Sequence, residues 1–308
     1  MTFGERFEEK CSAARFPVCL GLDPRLNEIP AVVRDRALNS NVNPVDALRK
    51  AIASFHELAI SAVSDLVPVV KLQMAFYEQY GIAGLQALGD TIRAARDAGL
   101  LVIADGKRND IPSTAEAYAR AYLGRTDVFG ELTTAFDADA LTVNPYLGWD
   151  SILPFAETAR EHEKGLFVLA HTSNPSAHDF QEAIVQGEPM YVRVARLISR
   201  LGDEIFPDGR FSSSGAIVGC TFPEAAAAIR REIPRSPIVV VGYGAQAGTL
   251  AGCIACFTDQ HDGALVNGSR SLTYTRTSEA ASEDEVAATI RDATEQMGNQ
   301  LVDGLTRQ

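Results

Sequence analysis

The segment LLVIADGKRNDIPST, residues 100–114, holds the chain's densest set of reactive side chains. Read as a strand, its period-two alternation puts Ile103, Asp105 and Lys107 on one face and Val102, Ala104, Gly106 and Arg108 on the other. A carboxylate and an ammonium then share one pocket, which is equipment for electrostatic and acid–base catalysis. Asp110 follows Lys107 by three residues, beyond the strand, so alternation no longer fixes its direction. It can face this pocket or a neighbouring chain. A second ammonium, Lys71, ends the apolar run VPVVKLQ. A lysine there costs desolvation unless a carboxylate is near, and the next strand offers Asp105. Each residue alone suits a structural ion pair. The set Lys71, Asp105, Lys107 and Asp110 at strand ends favours a catalytic use.

A different chemistry is suggested near the other end of the chain. PIVVVGYGAQAGT carries three glycines after an apolar run, and ALVNGSRS ends the last such run with Gly268, Ser269 and Arg270. Loops in these places bind phosphate in barrel enzymes through backbone N–H groups and a cation, with Gln246 and Arg270 as the natural ligands. GYGAQAG nearly matches a dinucleotide fingerprint, but it follows the seventh apolar run and not the first, which argues against that reading. HTSNPSAHD reads as a substrate-contacting loop, since a catalytic triad is assembled from distant segments and no GxSxG elbow is present. Asp23 in GLDPR is placed to bind a sugar hydroxyl or to cap the turn that follows.

The elements that must position these groups are short Val-, Ile- and Leu-rich runs typical of strands buried on both faces. Eight recur: Val18 to Asp23, Val67 to Gln73, Leu100 to Lys107, Ala140 to Asn144, Gly165 to His171, Ala216 to Thr221, Ile238 to Gly242 and Ala264 to Gly268. Segments of helical period lie between them, such as Val45 to Val63, Tyr80 to Ala98, Ser113 to Leu123 and Pro223 to Glu232. The repeat of strand and helix, eight times over, predicts an α/β fold: one (β/α)8 TIM barrel. It spans residues 1–308 as a single domain, with long loops after strands 1 and 5 and a C-terminal helix near Glu283 to Leu301. The long connections are residues 24–44 and roughly 172–212, the latter with a helix around Met190 to Leu201.

Composition agrees with a globular enzyme: 308 residues, 46% hydrophobic and 22% charged. With 28 basic against 40 acidic residues the formal charge is −12, which disfavours nucleic acid as a partner and requires a local positive cluster for any anionic ligand. No apolar run approaches the ~18 to 20 residues that span a bilayer, and MTFGERFEEK is too acidic for a signal peptide, so a cytoplasmic protein is expected. Five cysteines are too few for a disulfide scaffold. Cys253 and Cys256 form a CxxC without a second pair, and His56, His162 and His261 show no ligand spacing, so no metal site is expected.

Taken together, CLGLDPR, VVKLQMAFYEQYG, ADGKRNDIPST, VNPYLGWDS, HTSNPSA, VGYGAQAG and VNGSRS resemble orotidine 5'-phosphate decarboxylase, in its longer bacterial subfamily. They occur in that order between residues 19 and 271. The specific signal is the run D-x-K-x-x-D-I with a preceding strand-end lysine, here Lys71, Asp105, Lys107, Asp110 and Ile111. The resemblance implies a closed barrel acting as a homodimer with shared active sites, turning orotidine 5'-phosphate into UMP and carbon dioxide without metal or cofactor. It implies that Lys107 protonates C6 of the pyrimidine, Lys71 holds Asp105 and a ribose hydroxyl, and Asp23 also binds ribose. By the same resemblance Asp110 and Thr114 enter the partner's site, Ile111 belongs with the substrate-binding residues, and Ser173 bonds the pyrimidine edge. Gln246 and Arg270 grip the phosphate. Asn109 departs from the family's more frequent glycine.

Two rivals differ in testable ways. A catalytically silent barrel would bind UMP without releasing carbon dioxide. A magnesium-dependent decarboxylase or aldolase of sugar phosphates would need carboxylates at neighbouring strand ends, where this chain has Lys71. Loss of orotate absorbance on mixing the protein with orotidine 5'-phosphate should therefore persist unchanged in EDTA, whereas inactivation by the chelator would indicate the metal-dependent class.

Overall fold

The eight apolar runs form eight parallel strands, and the reason lies in their composition: β-branched residues on a backbone buried from both sides. In the computed structural model, which describes residues 1–40, 43–244 and 248–307, the strands are β1 (Val18–Leu22), β2 (Val69–Gln73), β3 (Leu101–Arg108), β4 (Ala140–Val143), β5 (Gly165–His171), β6 (Ser214–Gly219), β7 (Ile238–Val241) and β8 (Ala264–Gly268). Each pairs with the next, and β8 closes on β1, giving a TIM barrel as expected. Helices of the expected period cover the outside, among them Pro44–Val63, Gly81–Asp97, Pro112–Tyr122 and Pro223–Glu232. The last helix, Glu283–Leu305, starts from a Ser282 cap and runs one turn beyond its expected end.

Alternation along the strands separates two cores. Val18, Leu20, Leu22, Val70, Leu72, Val102 and Ala104 face outward to the helices. Cys19, Val69, Leu101, Ile103, Ala140, Phe167, Ile217, Val239 and Leu265 fill the barrel interior. The same alternation carries the next inward position of β2, β3 and β4 to the C-terminal mouth, where the side chains are Lys71, Asp105 and Thr142.

The opposite mouth is closed by an element that the sequence reading left without a role, the helix Phe3–Ala13. Its Phe3 and Phe7, one turn apart, join the interior core, and Phe3 meets Phe167 edge-on at 6.0 Å between ring centroids. Thr2 and Glu5 form a capping box at its start, and Arg6 donates to the buried Asp139 at 2.6 Å. Another difference lies at β6, which begins at Ser214 and not Ala216. The polar SSSG reads as loop, but Ser212 and Ser214 hydroxyls bond each other at 2.9 Å and Ser214 Oγ donates to the Ile198 carbonyl at 3.2 Å. These bonds make burial of the serines affordable within a strand.

Phe7 has no exposed surface and anchors this plug. Phe7→Ala should lower unfolding free energy by about 3 to 5 kcal/mol through lost apolar contact and a residual cavity. Urea denaturation will measure this; a loss below about 1 kcal/mol would show that the helix is peripheral to stability.

Candidate active site

The mouth of the barrel is organised around one carboxylate. Asp105 Oδ2 accepts from Lys71 Nζ at 2.8 Å and from Gln73 Nε2 at 3.0 Å. Its Oδ1 accepts from Lys107 Nζ at 2.6 Å and from Thr142 Oγ1 at 2.9 Å. Lys71 and Asp105 are buried, their side chains only 4% and 6% exposed, while Lys107 is 40% exposed and opens toward solvent. The lysine and aspartate expected to pair across adjacent strands therefore do so, and Lys107 also meets Asp105 as expected, though through a slipped strand end and not through plain alternation.

Local backbone chemistry explains how Lys107 returns to Asp105. Pairing between β3 and β4 slips in register between Ala104 and Arg108, and Lys107 adopts φ 49°. A left-handed conformation costs a non-glycine residue about 1 kcal/mol or more, so something must hold it. The Lys107 N–H donates to Thr142 Oγ1 at 2.9 Å, and that same hydroxyl bonds Asp105. Thr142 thus fixes both the strained backbone and the carboxylate. Sequence reasoning missed Thr142 and Gln73; their signal was an inward position on strands flanking β3.

Electrostatics follow from this geometry. Burial pushes the Asp105 carboxyl up, but the Lys71 and Lys107 ammonium groups outweigh it and hold the group well below the usual carboxylate range. Burial likewise pushes Lys71 down, and the attraction of Asp105 and Asp23 more than reverses this, keeping it charged well above its ordinary value. Lys71 and Lys107 face Asp105, and Asp23 lies near Lys71, so the two ammonium groups are balanced by two carboxylates in a chain of net −12.

The other expected site residues fall in distinct places. Asp23 follows β1 on the side of Lys71, and its Oδ1 is buried without a hydrogen-bond partner among the described residues. Asp110 does not join its own chain's lysines: its Oδ1 accepts from the Ile111 N–H at 2.7 Å, and no ion pair reaches it among the described residues. Ile111 is 60% exposed, and Thr114 is half-buried on the first turn of Pro112–Tyr122. Ser173 lies over the end of β6, so close that a Cβ on Gly219 would come within 2.8 Å of its nitrogen. Arg270 opens the short helix Arg270–Thr273 after β8, exposed and free of ion pairs among the described residues. Gln246 lies outside the described residues. His56 is a core residue, its Nδ1 2.9 Å from the Tyr77 hydroxyl. Asn267 was not anticipated: it lies at the end of β8 near β1 with Oδ1 buried and without a hydrogen-bond partner among the described residues, while its Nδ2 bonds Ser269 Oγ at 3.3 Å.

A closed parallel barrel with charged residues gathered at the C-terminal ends of its strands defines a TIM-barrel enzyme. Residues 17–283 match the model of the orotidine 5'-phosphate decarboxylase / HUMPS family, and the chain belongs to that family. It is 40% identical over 305 residues to an orotidine 5'-phosphate decarboxylase of Rhodopirellula baltica, covering 98% of this chain and 99% of the relative. Identity to the Caldicellulosiruptor bescii protein of the same name is 38% over 275 residues, or 89% and 90% of the two chains. Among solved structures, OMP decarboxylase of Leishmania donovani superposes with a TM-score of 0.75 at 28% identity, covering 99% of this chain and 100% of that one. A protein from Streptomyces avermitilis described as a possible orotidine 5'-phosphate decarboxylase gives 0.76 at 30% identity, with coverages of 99% and 96%.

Asp105→Asn should leave the buried Lys71 ammonium without its counter-charge and destabilise the protein by about 3 kcal/mol near neutral pH. Because the folded-state pKa of Asp105 is depressed, its stabilisation is present above the unfolded value of about 3.9 and is lost as pH falls through the folded one. Melting temperature should accordingly fall less steeply below about pH 4 in the variant than in the native protein. Parallel acid limbs would contradict an ionised Asp105.

Proposed function

We propose that this chain converts orotidine 5'-phosphate to UMP and carbon dioxide in de novo pyrimidine synthesis, with Lys107 delivering the proton to C6. The observation that carries the reading is the fixed Lys71–Asp105–Lys107 array at the barrel mouth, in a member of this family.

Loss of carbon dioxide from C6 leaves an electron pair in the ring plane, with no π system to spread it, so stabilisation has to be electrostatic and already in place. Lys107 meets that need: its ammonium is held by Asp105 yet open to the mouth, so one group attracts the developing charge and then neutralises it by proton transfer. Asp105, kept ionised by its two cations, faces the substrate carboxylate. At ~4 Å two such charges repel by about 4 kcal/mol for an effective dielectric near 20, and departure of carbon dioxide relieves the repulsion. Holding the substrate against it draws on binding energy elsewhere, chiefly a phosphate grip by Gln246 and Arg270. Ser173 bonds the pyrimidine edge, and Asp23 and Lys71 take the ribose hydroxyls; the unpartnered Asp23 Oδ1 supports this use. Neither metal nor organic cofactor enters these steps.

In this reading the enzyme is a cytoplasmic homodimer, and Asp110, Ile111 and Thr114 complete the partner's site. Two observations support it: Asp110 forms no ion pair with the lysines of its own chain among the described residues, and Ile111 exposes an apolar side chain beside it. No helix of the described residues is long and apolar enough to cross a membrane.

Lys107→Ala should reduce turnover by at least about a thousandfold, the scale of a lost general acid that is also the main electrostatic stabiliser. UMP affinity should change by no more than about tenfold, equivalent to 1.4 kcal/mol. Following orotate absorbance in one assay and UMP binding by calorimetry in another separates the two. A variant with a near-native rate would remove Lys107 from this role.

A further inference from the structure

Asp23 and Arg270 are far apart in sequence but follow neighbouring strands at the seam where the barrel closes, β1 pairing with β8 in the register Leu20 to Gly268. The loop carrying Asp23 is tied to the turn carrying Arg270 by one side chain. Tyr274 Oη donates to the Asp23 carbonyl at 3.0 Å and accepts from the Arg25 N–H at 3.0 Å. Its own N–H donates to the Arg270 carbonyl at 3.1 Å.

The turn that presents this hydroxyl is densely hydrogen-bonded. Thr273 bonds the Ser269 carbonyl through both its N–H, at 2.9 Å, and its hydroxyl, at 3.0 Å. Thr277 Oγ1 donates to the Thr273 carbonyl at 3.0 Å. The Tyr274 ring is buried and lies 5.4 Å from Phe55 between centroids. These bonds form a continuous path from the Arg270 carbonyl through Tyr274 to the backbone of Asp23. A buried phenol that donates to one backbone group and accepts from another two residues on leaves that backbone little freedom.

We propose that Tyr274 is a positioning residue that couples phosphate binding at Arg270 to the placement of the Asp23 carboxylate against the ribose. The inference rests on the roles given above to Arg270 and Asp23, and adds the link between them. It supplies a route by which binding energy from the non-reacting phosphate is spent on orienting the substrate at the mouth of the barrel.

The test is a double-mutant cycle on kcat/KM for orotidine 5'-phosphate, with melting temperatures of all four proteins. Tyr274→Phe keeps the ring and removes both hydroxyl bonds, so it should lower kcat/KM about tenfold, the scale of lost bonds to buried groups. In an Arg270→Ala background the same change should cost about twofold or less, because the coupling it transmits is already gone. An equal factor in both backgrounds would overturn the link while leaving the Arg270 assignment intact. A silent Arg270→Ala would overturn that assignment and the coupling with it. A second cycle leaves Tyr274 in place, so it does not depend on that variant folding: Asp23→Asn against Arg270→Ala, read by UMP affinity. Non-additive losses support the proposal, and additive losses overturn it.

Discussion

The structure depends on keeping one carboxylate ionised where burial opposes it. Asp105 is almost wholly removed from water, and a lone carboxylate there would take up a proton. Four donors prevent this, two of them cationic, and they come from three strands: Lys71 and Gln73 from β2, Lys107 from β3 and Thr142 from β4. Lys71 requires β2 and β3 in their observed register. Thr142 requires β4 beside them. Lys107 requires the slipped pairing and the left-handed turn that bring its ammonium back over the strand end. The plug of Phe3 and Phe7 fills the far end of the same barrel, leaving the charged groups to the mouth where the strands' C-terminal ends open.

This arrangement reconciles an acidic protein with an anionic substrate. A chain of net −12 repels phosphate and carboxylate at long range, while the mouth sets Lys71, Lys107 and, after β8, Arg270 against the carboxylates of Asp105 and Asp23. The cations are not interchangeable. Lys71 is buried and neutralised by Asp105, so it serves chiefly to hold the array, whereas Lys107 is partly exposed and can reach a ligand. Arg270 stands apart, suited to a group remote from the reacting carbon. On the proposed reading, separating the charge-stabilising Lys107 from a phosphate grip at Arg270 lets affinity and rate be set by different residues.

Much of this was legible in the sequence because it follows from periodicity. Val- and Ile-rich runs marked all eight barrel strands, alternation grouped Asp105 with Lys107, and the desolvation cost of a strand-end lysine pointed from Lys71 to Asp105 on the next strand. What periodicity does not encode was missed. The register slip and the φ of Lys107 arise from pairing with β4, which no single segment announces. Thr142 looked like any strand threonine until its neighbour's carboxylate was in place. The N-terminal helix did leave a signal, the capping-box spacing of Thr2 and Glu5 before phenylalanines one turn apart, but its place under the barrel is a tertiary fact. Asp110 belongs to a third category, because its spacing allowed two destinations, and in the fold it turns to the Ile111 N–H and away from its own chain's lysines.

The claim at the centre is a charge state: Asp105 anionic, held between two ammonium groups. Selective carbon-13 labelling of the aspartate carboxyls, with Asp105 assigned by its loss in Asp105→Asn, measures that state by the carboxyl shift across pH. The account predicts a carboxylate shift that is flat from about pH 9 down to about pH 4, the ordinary carboxyl range. A transition with its midpoint between about pH 5 and pH 8 would mean that burial prevails over the lysines, and would contradict it.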